Sequence, residues 1–237
     1  MKRLGLATLA LLAPAGAAHA GEFSGNISLV SDYVFRGVSL SDGAMAVQGG
    51  FDWTDEHFYV GTWGSSLTDG VELDLYAGFT PTTGPITWDF AVLGYFYPGA
   101  DDEAAELDYL EFMASGTFSL TESFSVRPAL YVAPDNYGDT GEATYIELSA
   151  AYEMTDEFVF SGTFGSQSVE DPDGPFGAAE EDTYASWNLG AAYVVDGFTL
   201  DLRYHDTDID AGSDIEAYTY GPDSYDSAFV FSISRGL

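Results

Sequence analysis

The feature that most constrains this chain is an alternation of apolar and polar side chains that recurs in segments of about ten residues. In one segment Val71, Leu73 and Leu75 alternate with Glu72 and Asp74. Successive side chains of a β-strand point to opposite faces, so each segment predicts a strand with one apolar and one polar face. The twelve predicted strands cover residues 23–37, 45–53, 58–65, 71–79, 86–92, 110–115, 124–132, 145–152, 158–164, 184–193, 198–205 and 228–234.

The two faces of these segments differ in a way that favours a membrane barrel. The apolar faces hold no charged residue and are bounded by aromatic side chains, as in the interfacial girdles of outer-membrane barrels. A tilted strand of this length crosses a bilayer, and a closed barrel leaves no unpaired sheet edge in lipid. A soluble secreted β-barrel or sandwich also alternates, and it stays the second interpretation of the pattern.

The connections between the predicted strands are alternately long and short, which is typical of outer-membrane barrels. The sequence therefore predicts an all-β, 12-stranded antiparallel transmembrane β-barrel with both termini periplasmic, short periplasmic turns and longer external loops. The predicted external loops are residues 38–44, 66–70, 98–108, 134–142, 168–182 and 206–226, and the predicted turns are 55–57, 81–85, 121–123, 155–157 and 196–197.

The N-terminus has the layout of a secretory signal peptide. Lys2 and Arg3 precede an apolar stretch over residues 4–12, and Ala18-His19-Ala20 forms a cleavage site of the A-x-A type. We expect Sec-type export, cleavage after Ala20 and a single barrel domain over residues 21–237. The expected location is the outer membrane of a Gram-negative bacterium, with its lipid as partner.

The charge balance excludes several functions. The formal charge is −33, and without Lys2 and Arg3 four arginines remain against 39 acids, which makes −35. Nothing is then available to neutralise phosphates, so no nucleic-acid partner is expected. The chain has no cysteine, which excludes disulfides and cysteine-bound zinc. No cofactor is expected.

Charged residues on the polar faces predict the ion preference of the barrel lumen. Eight acids and three arginines give the lumen a net negative charge, and acidic rings in a narrow passage favour cations. We expect a porin-like channel for passive diffusion of small hydrophilic solutes, with cation preference. In the alternative interpretation the three arginines pair with acids such as Glu72, Asp74, Glu111 or Asp201 and close the bore, and the barrel is plugged, structural or binding. The predicted pore-lining residues are Asp32, Arg36, Asp52, Glu72, Asp74, Asp89, Glu111, Arg127, Glu147, Asp201 and Arg203.

The remaining acids lie mostly in the loops and predict no defined metal site. The stretch beginning at Asp206 fails the EF-hand pattern, because Ala211 occupies the glycine position and Ala217 the glutamate position. Weak divalent-cation binding by the external loops stays open. An outer-membrane hydrolase is a less favoured alternative, since its base would have to be His57 in a turn or His205 beside Asp206. We therefore expect no enzyme and no catalytic residues.

The stretch Ser31-Asp32-Tyr33-Val34-Phe35-Arg36-Gly37-Val38-Ser39-Leu40-Ser41-Asp42 resembles the opening of the TorF family of porins. Gln48-Gly49-Gly50-Phe51 and Phe58-Tyr59-Val60-Gly61-Thr62-Trp63-Gly64-Ser65 are similar to the next two blocks of that family. The resemblance implies an outer-membrane β-barrel with a pore role and no catalytic residues. Its motif positions here are Ser31, Asp32, Tyr33, Phe35, Arg36, Gly37, Gly49, Gly50, Gly61, Thr62, Trp63 and Gly64.

Overall fold

Twelve long antiparallel strands make up the fold of this chain, in a computed structural model that describes residues 21–100, 106–172, 183–219 and 223–237. The predicted signal peptide lies outside the described residues, and the division of the chain at Ala20 stays a prediction. The strands are β1 (Glu22–Val30), β2 (Ala46–Asp55), β3 (Phe58–Leu67), β4 (Gly70–Phe79), β5 (Ile86–Phe96), β6 (Tyr109–Ser119), β7 (Phe124–Ala133), β8 (Ala143–Glu153), β9 (Phe158–Val169), β10 (Thr183–Val195), β11 (Phe198–Thr207) and β12 (Ala228–Gly236).

The strands close into a barrel. Each pairs with the next one along the chain, and β12 returns to pair with β1 from Asn26↔Gly236 to Val30↔Ser232. Closure satisfies both edges of the sheet, as a lipid environment requires. The predicted 12-stranded antiparallel barrel is confirmed.

The connections define two ends of the barrel. At the short-turn end lie the start of β1, the end of β12 and the connections 56–57, 80–85, 120–123, 154–157 and 196–197. At the long-loop end lie 31–45, 68–69, 97–108, 134–142, 170–182 and 208–227, of which residues 101–105, 173–182 and 220–222 are outside the described part. The predicted alternation holds except at 68–69, where β3 and β4 extend toward each other and leave a tight turn at Gly70, with φ 115°.

Helical structure in the described residues is limited to two short 3₁₀ turns, Tyr137–Asp139 and Asp214–Tyr218. Among the described residues, no helix is long and apolar enough to cross a membrane.

The two faces of the wall follow the alternation of the sequence. On β4 the exposed fractions of Leu73 and Leu75 are 40% and 51%, whereas those of Glu72 and Asp74 are 2% each. Apolar side chains therefore cover the outside of the barrel, and the interior holds carboxylates, arginines and tyrosines. The core of this protein is a polar and aromatic lumen.

The first predicted strand is too long. Alternation in the sequence continues to Gly37, but β1 ends at Val30, and the following residues turn into the barrel. The Ser31 amide still donates to the Phe231 carbonyl at 2.8 Å, which marks the point where the chain leaves the wall. Asp32 and Arg36 thus lie on an inward connection.

Candidate functional site: the lumen and its inward hairpin

Residues 32–41 form what we call the inward hairpin. Val34–Phe35 pairs with Val38–Ser39, and Arg36 and Gly37 form its tip with φ values of 49° and 89°. Positive φ at both central residues is the signature of a type I′ turn, whose twist matches that of a hairpin. The sequence Arg-Gly therefore sets a tight tip that presents one arginine.

Asp32 holds the base of the inward hairpin closed. Its carboxylate accepts hydrogen bonds from the Ser39 hydroxyl at 2.6 Å and the Ser41 hydroxyl at 2.9 Å. The Ser41 hydroxyl in turn accepts from the Tyr33 amide at 2.8 Å. Since Asp32 and both serines are buried, these bonds satisfy groups that would otherwise be costly to bury. Asp32 is therefore a clamp within the hairpin.

The Arg36 guanidinium is anchored on the far wall. It donates to both carboxylate oxygens of Glu111 on β6, at 2.8 and 2.9 Å, and to the Gln167 amide oxygen on β9 at 3.0 Å. The exposed fractions of the Arg36 and Glu111 side chains are 8% and 1%. A buried pair of this kind depends on such additional hydrogen bonds, because both ions lose their hydration.

Three aromatic rings enclose the same guanidinium. Its central carbon lies 4.7 Å from the ring centroid of Phe35, 5.0 Å from that of Tyr131 and 4.3 Å from that of Tyr145. A cation over a ring face is attracted by the ring quadrupole, and more so where water is excluded. The rings and the ion pair together fix Arg36 in the lumen.

The inward hairpin reaches both sides of the barrel interior. A Cβ atom at Gly37 would lie against Thr207 on β11 and 2.9 Å from the Ser186 Cβ atom on β10. Near the base, the Tyr33 hydroxyl donates to Glu72 on β4 at 2.6 Å, and its ring lies 5.5 Å from that of Trp63 on β3. The hairpin thus spans the lumen from one wall to the other.

Part of the last connection packs on top of this hairpin. We call residues 208–227 the lid loop, which is described apart from 220–222. The Ser39 amide donates to the Ser224 carbonyl at 2.6 Å. One buried apolar cluster joins hairpin, wall and lid loop: Val38, Tyr184, Ile209, Ile215 and Tyr225.

Two groups in these connections have shifted pKa values. Burial, followed by the neighbouring carboxylates, raises the pKa of Tyr33, so its hydroxyl stays protonated and donates to Glu72. In the lid loop, hydrogen bonds from the Tyr225 hydroxyl and then from the Gly212 amide lower the pKa of Glu216.

The short-turn half of the lumen is arranged differently. Arg127 donates to Glu147 at 2.9 Å, and Arg203 donates to Asp201 at 3.0 Å. All four side chains keep some exposure, between 10% and 22%.

Tyrosines hold two further acids in that half. The Tyr59 hydroxyl donates to Asp89 at 2.8 Å, and the Tyr76 hydroxyl donates to Asp52 at 2.6 Å. Phenols therefore fix carboxylates to which no arginine is bonded among the described residues.

The structure brings the predicted luminal residues to the interior in two groups. Asp32 and Arg36 lie on the inward hairpin. The other nine lie on inward positions of the strands: Asp52, Glu72, Asp74, Asp89, Glu111, Arg127, Glu147, Asp201 and Arg203.

Each luminal arginine pairs with its own carboxylate, and the partners are Glu111, Glu147 and Asp201. The alternative interpretation named Glu111 and Asp201, but it also named Glu72 and Asp74, which bond to no arginine among the described residues, and it did not name Glu147. Sequence reasoning missed Gln167, whose exposed fraction is 1%, and the role of the tyrosines. Tyr76, Tyr131 and Tyr145 did stand at polar-face positions, which was the available signal.

The remaining family-motif positions lie in the barrel wall, and one of them, Trp63, contacts the hairpin. Trp63 contacts Tyr33, and a Cβ atom at Gly61 would meet the Tyr76 ring and come within 2.5 Å of the Asp52 carboxylate. Gly49 and Gly50 lie opposite backbone carbonyls of the neighbouring strands. Thr62 and Gly64 lie on β3 beside them.

The two histidines form no catalytic arrangement in the described part of the chain. His57 lies in the 56–57 turn, 3.9 Å from the Glu56 carboxylate. Asp206, the sequence neighbour of His205, instead accepts a hydrogen bond from the Tyr204 hydroxyl at 2.7 Å. A grouping of three or more His, Cys, Asp or Glu side chains suited to a metal ion is also lacking among the described residues.

Two solved structures share this architecture. The NanC porin is 10% identical, with a TM-score of 0.55, and the alignment covers 90% of this chain and 98% of that chain. The KdgM porin is 6% identical, with a TM-score of 0.57 and the same coverage. At these identities the likeness shows a common barrel fold.

No curated protein matches the sequence. The barrel fold that the TorF resemblance implied is confirmed, whereas the TorF name itself stays a prediction. A family model described as "Bacterial protein of unknown function (Gcw_chp)" matches residues 14–237, and the chain therefore belongs to that family.

Proposed function

We propose that this protein is a porin-like channel of the outer membrane through which small hydrophilic solutes diffuse passively. The observation that carries the proposal is a closed barrel with an apolar outside and a lumen lined by charged and hydroxyl side chains. Barrels of the same architecture are named as porins. The lumen holds no catalytic arrangement among its described residues, and the proposed role is not enzymatic.

The orientation belongs to the same proposal. The start of β1 and the end of β12 lie at the short-turn end, which we assign to the periplasm together with both termini, and the long-loop end is assigned to the cell exterior. Export would use the signal peptide at residues 1–20. The external loop acids would face the medium, where weak binding of divalent cations is part of the proposal and nucleic acid is not a partner.

Within this channel the inward hairpin is the constriction. It spans the long-loop half of the lumen, and Arg36 at its tip is fixed by Glu111. The strand acids outnumber the luminal arginines, and Asp52 and Asp89 face the more open half. Since unpaired carboxylates attract counter-ions, we propose a preference for cations.

Planar-bilayer conductance tests the channel directly. Arg36→Ala removes the anchor of the constriction and should raise single-channel conductance relative to wild type. Arg235→Ala, near the end of β12, is the matched control and should change little. Asp52→Asn and Asp89→Asn should shift the reversal potential toward lower cation preference. An anion-selective wild type would contradict the lumen-charge argument.

The plugged barrel is the second candidate function, and the observation that favours it is the hairpin lying across the lumen beneath the lid loop. If neither wild type nor Arg36→Ala showed discrete conductance steps, the channel proposal would fail and the plugged barrel would replace it.

A charge placed on the outer face tests the membrane location. Leu73→Arg or Phe90→Arg should cost about 2–4 kcal/mol of folding free energy in lipid, because these positions lie away from both barrel ends. Leu120→Arg, in the 120–123 turn, should cost only about 0–1 kcal/mol. Unfolding titrations in lipid vesicles measure the difference, and equal tolerance at all three sites would argue for a soluble barrel.

A further inference from the structure

Two neighbouring acids on β4 differ from the other acids of the lumen. Glu72 and Asp74 occupy successive inward positions, and the exposed fraction of each is 2%. Asp52 and Asp89, by contrast, are only half-buried and accept from tyrosine hydroxyls. Glu72 and Asp74 thus lose their hydration without the access to water that other luminal acids keep.

No arginine compensates this pair. The three luminal arginines are bonded to Glu111, Glu147 and Asp201, and within the described part of the chain no basic side chain lies in ion-pair distance of Glu72 or Asp74. Glu72 accepts from the neutral hydroxyls of Tyr33 at 2.6 Å and Tyr97 at 3.0 Å. Two carboxyl groups therefore lie together without a protein cation beside them among the described residues.

Asp74 also has an unsatisfied oxygen. Its Oδ1 atom is enclosed, and no donor from the described residues reaches it. Glu72 and Asp74 are two residues apart on one strand, so their side chains leave the same face of the wall next to each other. A buried carboxylate of this kind requires a cation or a proton of its own.

We propose that Glu72 and Asp74 form a binding site for one divalent cation of the size of calcium. Carboxylate oxygens are hard ligands that suit this ion, and its flexible coordination fits ligands from one strand better than the strict octahedron of Mg²⁺. The hydroxyls of Tyr33 and Tyr97 orient the Glu72 carboxylate from behind. The site goes beyond the proposed channel function and does not depend on whether the barrel conducts.

The location of the site gives it a structural consequence. Tyr33 belongs to the inward hairpin and Glu72 to the barrel wall, so an ion bound at β4 strengthens the contact between them. Cation binding should therefore favour the inward position of the hairpin at its base, at the opposite end from the Arg36 anchor.

Terbium luminescence tests the site in the full folded chain in detergent micelles. Tb³⁺ replaces calcium and emits when nearby tyrosine or tryptophan rings are excited. Tyr33 and Tyr97 bond to Glu72 directly, and Trp63 lies beside Tyr33. We expect one saturable component that Ca²⁺ displaces and that is lost in Asp74→Asn and in Glu72→Gln. Asp52→Asn, which removes a luminal acid outside the site, should retain it.

Each other outcome overturns the proposal. Equal Tb³⁺ binding by wild type and Asp74→Asn would assign the signal to the loop acids. A wild type without a sensitised component, together with a protonated carboxyl stretch in the infrared spectrum that disappears in Asp74→Asn, would show that a proton neutralises the pair. The heat-dependent mobility shift of folded barrels on gels confirms that each variant is folded, and conductance is measured separately.

Discussion

The two halves of the lumen are built from the same twelve strands but are packed differently. In the long-loop half the inward hairpin brings Arg36 to Glu111, and the exposed fractions of their side chains are 8% and 1%. In the short-turn half Arg127 meets Glu147, and the fractions are 22% and 15%. Both are arginine–glutamate pairs at about the same distance, 2.8 and 2.9 Å.

The difference between the pairs shows what controls how strongly a luminal ion pair is screened by water. Water that reaches Arg127 screens its pair, whereas Arg36 has exchanged water for three rings, a carboxylate and an amide. At Arg127 the wall alone produces the first situation. At Arg36 a connection that folds inward produces the second, so the hairpin gives this arginine the surroundings of a protein core.

The largest expected loss of stability comes from a substitution at Glu111, in the long-loop half. Glu111→Gln leaves the Arg36 charge buried without its partner and should cost about 3–5 kcal/mol of unfolding free energy. Urea unfolding in micelles measures it. A cost below about 1 kcal/mol, the range of exposed pairs, would mean that the two halves are equally hydrated and would end the comparison.

The second-largest loss of stability is expected from a substitution at Gly37, in the tip of the inward hairpin. Gly37→Ala combines a side chain at positive φ with contact against Ser186 and Thr207, and we expect a loss of about 2–3 kcal/mol. Gly43→Ala is the matched control, since it has φ 66° in open space and should cost only about 1 kcal/mol. Conductance should rise for Gly37→Ala alone. If Gly37→Ala and Gly43→Ala changed the unfolding free energy and the conductance equally, the tip would not be packed against the wall.

A smaller effect is expected in the short-turn half. Glu147→Gln should cost about 1 kcal/mol, because partial exposure lets water hydrate Arg127 after the loss of its partner. The same unfolding titration measures it alongside Glu111→Gln. A larger cost for Glu147→Gln than for Glu111→Gln would reverse the assignment of the packed half.

The smallest effect concerns the lid loop and pH. The folded-state pKa of Glu216 is lowered, so its stabilising contribution is present above the unfolded pKa of about 4.3 and disappears as the pH falls through the folded value. Acidification should therefore lower the protection factor of the Gly212 amide, which is its exchange rate compared with the intrinsic rate at the same pH. Tyr225→Phe should reduce this pH dependence, whereas Tyr204→Phe, which removes a hydroxyl donor to Asp206, should not.

Much of the fold could be predicted because period-two alternation is a local property. Leu73 and Leu75 had to face one way and Glu72 and Asp74 the other once the segment was a strand. The ends of the strands were harder to predict from the sequence. The alternation of the sequence runs through Val34 and Arg36, and Gly37 is the one local sign that this segment turns.

The lumen was predictable as a set of residues but not as an arrangement. Asp32 was expected to line the pore, yet it clamps the base of the hairpin through Ser39 and Ser41. Gln167 carries no charge and was not predicted from the sequence to line the lumen, but it completes the hydrogen bonding of Arg36. The role of Gln167 depends on a partner 131 positions away in the chain, whereas that of Asp32 depends on a turn of the chain that alternation does not predict.

The sequence by itself determined the barrel, its twelve strands, its apolar exterior and the residues that face inward, because each follows from side-chain alternation over a single strand. Only the tertiary structure decided which arginine meets which acid, that the first connection crosses the lumen, and that Glu72 and Asp74 lie beyond the reach of any luminal arginine. Closure of the sheet brings distant strands to face each other across a narrow space, and pairing across that space is a property of the closed barrel.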